Sequence, residues 1–348
     1  MTVAPGRPDV MLTRQLVNPG RQPTEQDPLL VSPSSEFREG HPQYGAFGRS
    51  YYPAIYGPRL VDHSFVLSEP HGGCVVVECD VCDGTLGRFG MPIQVIVSEA
   101  EAGPRRRLIR NAVKTLAQVA LETGVVETIV ADPDSHELLS DLGLACLAAG
   151  GKIRIRMHAV ADLSLSEKQL LADVRKSAKS LINWGRNALT LRYCNAASPD
   201  RETFDAYRRL HREVAGKVTR SEDSWEVMFD TVSAGRGELA LATLGTEIVG
   251  GTLVVDGSSS SYYASGAYRR SHSDRPLAHW PLMDAILRAK VRGMRWFDVG
   301  QVLAPGDGTS KEHTIGFFKK AFTSRIETRM QWLLPGAPEC PGRGEGNQ

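Results

Sequence analysis

Apolar positions along the chain switch between two periods. Between Pro104 and Thr123, Leu108, Ala112, Leu116 and Val119 recur every three or four residues, which predicts a helix with Gly124 ending it. Short apolar or alternating runs at Ser64–Leu67, Cys74–Cys79, Pro92–Ser98, Val125–Ala131 and Lys152–His158 predict strands. A further helix is expected over Ser135–Leu142. Strand, helix, strand in this order predicts a mixed α/β domain over 36–160.

A second domain is expected over 161–324. Ser164 with Glu167 forms a candidate capping box, in which serine accepts an N3 amide and glutamate reaches back. Leu170, Leu171, Val174, Ala178, Leu181 and Ile182 then fall on one helical face. Lys168, Arg175, Lys179 and Arg186 fall on another, with Lys176 beside them. Helices follow over Arg201–Val214 and Trp225–Ala234, where Gly235-Arg-Gly237 breaks the pattern.

Glu238–Leu244, Ile248–Val255 and Ser260–Ser265 are separated by Gly245-Thr-Glu247 and Asp256-Gly-Ser258, which reads as a three-stranded meander. Pro281 suits the first turn of the next helix, and Gly293 ends that helix. Met294–Val299 is the following strand, and a strand at 325–334 returns to the first domain. Residues 1–35 and 335–348 are rich in Pro, Gly and polar residues and read as a disordered arm and tail.

With 41% hydrophobic and 23% charged residues in 348, the chain can bury a large core. The net charge of +1 requires any nucleic-acid partner to be held by a local patch. The N-terminus lacks the apolar stretch of a signal peptide, and no run approaches a membrane span, so a cytoplasmic protein is expected. Cys74, Cys79 and Cys82 cluster near His63 and His71, but no second Cys pair follows. They read as ordinary buried thiols, with no metal site expected.

Five segments occur in a telling order: Leu163-Ser-Leu-Ser-Glu-Lys-Gln-Leu170, Arg175-Lys-Ser-Ala-Lys179, Tyr262-Tyr-Ala-Ser-Gly266, Arg295-Trp-Phe-Asp-Val-Gly300 and Phe318-Lys-Lys-Ala-Phe322. In order and spacing, over about residues 160–330, they resemble the FemAB/FemX-like aminoacyl transferases of the GNAT superfamily. His41-Pro-Gln-Tyr44 resembles that family's entry into its first domain. The resemblance implies an α/β (α+β) architecture of two tandem GNAT-like domains with mixed sheets and a cleft between them. It also implies an enzyme that moves an amino acid from aminoacyl-tRNA to an amine of a peptidoglycan precursor or specialised metabolite. No cofactor is implied. The family's Asp-Leu-Gly-Gly stands here as Asp298-Val-Gly-Gln301, and Ser180-Leu-Ile-Asn-Trp184 replaces further basic residues. The long coiled-coil insertion of the larger Fem enzymes is missing between Arg201 and Gly237.

The resemblance places Lys319 at the reaction centre or the donor's terminal nucleotide. A fixed ammonium there stabilises the oxyanion built when an amine attacks an ester. Lys320 is its adjacent competitor, Phe318 a candidate stacking platform for the terminal base, and Asp298 a candidate orienter of the attacking amine. His279 and His313 are candidate proton acceptors. Lys168, Arg175, Lys176 and Lys179 are candidate phosphate contacts on tRNA. An acyl-CoA donor would need a glycine-rich phosphate loop at a helix start, whereas Tyr268–Pro276 contains no glycine and carries Asp274. Acyl-CoA-dependent transfer and a non-catalytic RNA- or protein-binding module are the rival readings.

Overall fold

A computed structural model describes residues 40–69, 73–98, 101–133, 139–304 and 306–336, and the backbone of 13–16. The remainder of the expected arm and tail, and His71, lie outside the described residues. In chain order the principal elements are β1 (Thr13–Leu16), α1 (Ala46–Tyr56), β2 (Val61–Asp62), β3 (Phe65–Ser68), β4 (Cys74–Glu78), β5 (Asp80–Cys82), β6 (Thr85–Gly87) and β7 (Gln94–Val97). Then come α2 (Ala102–Thr123), β8 (Glu127–Asp132), α3 (Asp141–Ala148), β9 (Lys152–Asp162), α4 (Glu167–Asp173), α5 (Lys176–Ala188) and β10 (Leu189–Cys194). The rest are α6 (Arg201–Ala215), α7 (Glu222–Ser233), β11 (Gly237–Leu244), β12 (Glu247–Asp256), β13 (Ser260–Tyr268), α8 (His279–Val291), β14 (Trp296–Val302), α9 (Ser310–Lys319) and β15 (Ile326–Pro335).

The chain forms two compact units. One comprises the described parts of Met1–Ser34, Pro58–Ile155 and Arg329–Gln348. It holds an antiparallel sheet in the order β1-β3-β4-β7 and a mixed run β15-β8-β6-β5-β2. Helix α2 buries Leu108, Ala112, Leu116 and Val119 among Val75, Val77 and Trp332. Gly124 ends α2 in the left-handed region at φ 67, a conformation that glycine adopts without steric cost. Cys79 and Cys82 are buried thiols on this unit's strands, and no metal-binding cluster is found among the described residues. Two expectations differ here. Thr13–Leu16 lies in the expected arm yet pairs antiparallel with Phe65–Ser68, because pairing needs only backbone groups. The helix expected over Ser135–Leu142 instead begins at Asp141, where the Ser140 hydroxyl accepts the Gly143 amide; 134–138 lie outside the described residues.

The other unit comprises Ser35–Gly57 and Arg156–Thr328. Residues 40–57, expected in the first domain, therefore belong with the second. The sheet order is β10-β11-β12-β13-β14-β9. The predicted meander is β11-β12-β13, all antiparallel. Strands β13 and β14 run parallel, joined through α8 as a parallel pair requires. Pro281 sits in the first turn of α8. One face of the sheet packs Phe297 and Val299 against Leu170, Ala178, Ile182, Leu282, Ile286 and Phe322.

The single helix expected after Leu163 is two, because Val174 and Arg175 are extended, with ψ of 131 and 134. Its apolar period survives the break since both helices bury their faces in the same core. The capping box is also displaced by two residues. Asp162 accepts both the amide and hydroxyl of Ser164, so Ser166 and Gln169 form the reciprocal cap. Among the described residues, no helix is long and apolar enough to cross a membrane.

Candidate active site

A β-bulge builds the centre. β14 pairs Asp298 with Val160 and Gly300 with Ala159, leaving Val299 as the extra residue. Gly300 takes φ +111, and its amide donates to Asp298 Oδ1 at 2.7 Å. Asp298 is fully buried, so its carboxylate depends on such donors.

Two imidazoles complete its shell. His158 on β9 places Nδ1 3.0 Å from Asp298 Oδ2 and 3.2 Å from Oδ1. His41, just before α1, places Nε2 3.2 Å from Oδ2. The His41 segment is anchored by the Ser260 hydroxyl, which donates to the Gly40 carbonyl at 3.0 Å. The His41 ring also packs on Tyr262, their centroids 5.1 Å apart, and Tyr262 stands opposite Asp298 in the β13–β14 register.

Lys319 reaches the same bulge from the end of α9. Thr309 and Glu312 start that helix with a capping box, and Lys319 occupies its last turn, where the helix dipole favours a cation. Its Nζ donates to the Gln301 carbonyl at 3.3 Å. Burial lowers the lysine's pKa, and the Asp298 charge opposes that shift. A methyl group on Gly300 would begin 2.6 Å from Nζ, so this approach requires glycine. The result is a partly desolvated ammonium beside a carboxylate that orients two imidazoles. Such a group can stabilise a developing oxyanion, and such a carboxylate can hold a proton-accepting ring.

The other expected site residues fall around this centre unequally. Phe318 packs edge-to-face on His279 and Phe322, with centroids 5.2 and 5.1 Å away, and adjoins the apolar core. Phe317 is the exposed ring of the pair, at 59%. The buried His279 Nδ1 makes no hydrogen bond, and burial lowers that histidine's pKa, with Arg175 adding to the shift. His313 is exposed on α9, and Lys320 is exposed at its C-cap.

The basic residues divide. Lys168, Lys176 and Lys179 are exposed, and Lys179 donates to the Ala172 carbonyl at 3.0 Å. Arg175 lies over the Phe317 ring at 3.7 Å and donates to the Phe317 carbonyl at 3.2 Å, while its amide donates to the Ala321 carbonyl at 2.9 Å. It therefore braces the segment carrying Lys319. His41 and His158 were not among the sequence candidates. One sits in a Pro-Gly-rich stretch and the other at the end of a strand, and only the tertiary fold brings them to Asp298.

Residues 171–309 match the family described as an acetyltransferase (GNAT) domain. The chain has a GNAT fold. The crystal structure of FemX superposes with a TM-score of 0.58 at 12% identity, covering 93% of this chain and 97% of FemX. A conserved protein of unknown function from Bacteroides thetaiotaomicron gives 0.51 at 11% identity, covering 82% and 90%. The C-terminal domain of an Agrobacterium fabrum protein provisionally assigned as a lysylphosphatidylglycerol synthetase gives 0.50 at 11%, covering 78% and 84%. No curated protein matches the sequence. At these identities the GNAT fold is what the structures share with this chain.

Proposed function

We propose that the protein transfers an amino acid from aminoacyl-tRNA to an amine, forming an amide. The observation that carries this reading is the desolvated Lys319 ammonium held against the Gly300 bulge. As the amine attacks the ester carbonyl, negative charge grows on the carbonyl oxygen, and a preorganised cation offsets it without solvent reorganisation. The FemX-like fold supports an aminoacyl donor, and the lysyl product named for the Agrobacterium protein fits the same chemistry. Exposed Lys168, Lys176 and Lys179 supply phosphate contacts. Phe318, or the more exposed Phe317, supplies a stacking face for a terminal base. The acceptor is an amine of a peptidoglycan precursor or a specialised metabolite.

The segment between β13 and α8 weighs against acyl-CoA. It lacks glycine, and its cations are already engaged: Arg269 with Glu213 at 2.6 Å and His272 with Glu247 at 3.1 Å. A pyrophosphate there would displace these pairs and meet their carboxylates. Acyl-CoA transfer is the second reading, favoured by the description of the matching family. The deciding experiment incubates the protein with total aminoacyl-tRNA and a pool of amines, following enzyme-dependent deacylation and new amide by mass spectrometry. Amide from charged tRNA supports the proposal. Amide from acetyl-CoA alone replaces it with the second reading.

A further inference from the structure

We infer that His158 is the general base of this centre, held by Asp298, which is in turn held by His41. The inference rests on amide formation for the identity of the attacking group, and on hydrogen-bond logic for the residue. The Gln43 backbone amide can only donate, and it faces His41 Nδ1 at 3.4 Å. His41 Nδ1 is therefore an acceptor, and its proton is on Nε2, directed at Asp298. Asp298 already accepts the Gly300 amide. A carboxylate receiving those two donors is an ionised acceptor, so the His158 nitrogen facing it, Nδ1, carries a proton as well. A neutral ring protonated on Nδ1 has its basic lone pair on Nε2.

Exposure separates the two histidines. The His158 side chain is 17% exposed and that of His41 3%, while Asp298 is at 0%. His41 also has both ring nitrogens committed, one to Gln43 and one to Asp298. It acts as a positioning residue, whereas His158 has an edge that a substrate can approach. The charged and titratable groups around the His158 ring are Asp298 on β14, His41 before α1, Lys319 at the end of α9 and Tyr262 on β13.

The step balances as follows. The amine nitrogen attacks the ester carbon and a C–N bond forms, with the oxyanion beside Lys319. One N–H proton passes to His158 Nε2, giving an imidazolium stabilised by Asp298. The ester C–O bond then breaks, and the same proton passes to the departing ribose oxygen. Amide and free tRNA are the products, and His158 is neutral again.

The test compares wild type, His158→Gln, His158→Gly and His41→Gln in single-turnover transfer from total aminoacyl-tRNA to the amine pool across pH. His158→Gln should slow transfer by about 100–10,000-fold and erase the acid limb of the pH–rate profile, with tRNA affinity unchanged. Added imidazole should partly restore His158→Gly. His41→Gln should slow transfer but keep the acid limb. A near-normal rate with an intact acid limb in His158→Gln would overturn the inference. Histidine nitrogen NMR on the wild-type protein needs no donor and no variant. It should show His158 protonated on Nδ1 and His41 on Nε2, and a His158 proton on Nε2 would equally overturn it. Wild type that makes no amide from charged tRNA would instead defeat the proposed function, leaving the NMR result to judge His158.

Discussion

The Nζ of Lys319 lies 2.6 Å from where a side chain on Gly300 would begin. Gly300 also holds φ +111 and donates its amide to Asp298. One glycine thus admits the cation, makes the bulge and fixes the carboxylate. Gly300→Ala should cost about 1–3 kcal/mol of stability from backbone strain alone. It should also slow transfer on the order of 100-fold, because Nζ must shift by about an ångström. Thermal unfolding and single-turnover rates measure the two effects separately. A variant with wild-type melting and rate would show that the close approach has no role.

Lys319 and Lys320 are adjacent but unequal. Lys319→Ala should lower the chemical rate by about 100–1000-fold, roughly 3–4 kcal/mol of transition-state stabilisation. Lys320→Ala, at an exposed position, should do much less. Donor affinity measured by filter binding should survive Lys319→Ala in part. A larger rate loss at Lys320 would reverse the assignment.

The lowered pKa of Lys319 has a consequence for stability against pH. Below its folded-state pKa the lysine is charged in both states, and its burial cost is fully present. As pH rises through that value towards the unfolded 10.5, the folded protein releases its proton first. The unfolded state then binds more protons, so stability attributable to this group rises with pH. The stability difference between wild type and Lys319→Met should therefore narrow between neutral pH and about pH 10.5. Denaturant titrations across that range check it, and a constant gap would remove the shift. Transfer itself should fall at a pH below the ordinary lysine range as the ammonium is lost.

The basic residues should separate into two behaviours. Changing Lys168, Lys176 and Lys179 together to Gln should weaken tRNA binding and flatten its salt slope by about 0.7–0.9 for each phosphate left without its lysine. Arg175→Lys keeps the charge but removes the planar guanidinium stacked on Phe317. It should slow transfer with little change in slope. A reduced slope in Arg175→Lys would return Arg175 to the phosphate-binding set.

The mixed α/β order was legible because long helices and paired strands have different periods. Leu108 to Val119 announced α2, and Glu238 to Ser265 announced the meander, since each carries its pattern within a short window. The break at Val174–Arg175 was not legible, as the apolar face continues across it. Two overlapping Ser-x-x-Glu/Gln patterns competed at Ser164 and Ser166, and only Asp162, by taking Ser164, decides between them. Lys319 and Asp298 could be singled out because their motifs lie close together in sequence. His158 and His41 could not, being 140 and 257 residues from Asp298. Histidines recruited across such separations carry no local signature. The clamp of Arg175 on Phe317 is likewise a product of the fold, since alone each residue reads as a surface arginine and a core aromatic.

The most direct test of aminoacyl transfer is a donor comparison on one preparation of folded protein. Total aminoacyl-tRNA and acetyl-CoA are each supplied at saturation with the same amine pool, to wild type and to Lys319→Ala, and amide is quantified over a single turnover. The account predicts aminoacyl amide from charged tRNA with wild type, a loss of about 100–1000-fold with Lys319→Ala, and little or no acetyl amide. Acetyl amide from wild type with no deacylation of charged tRNA would contradict it.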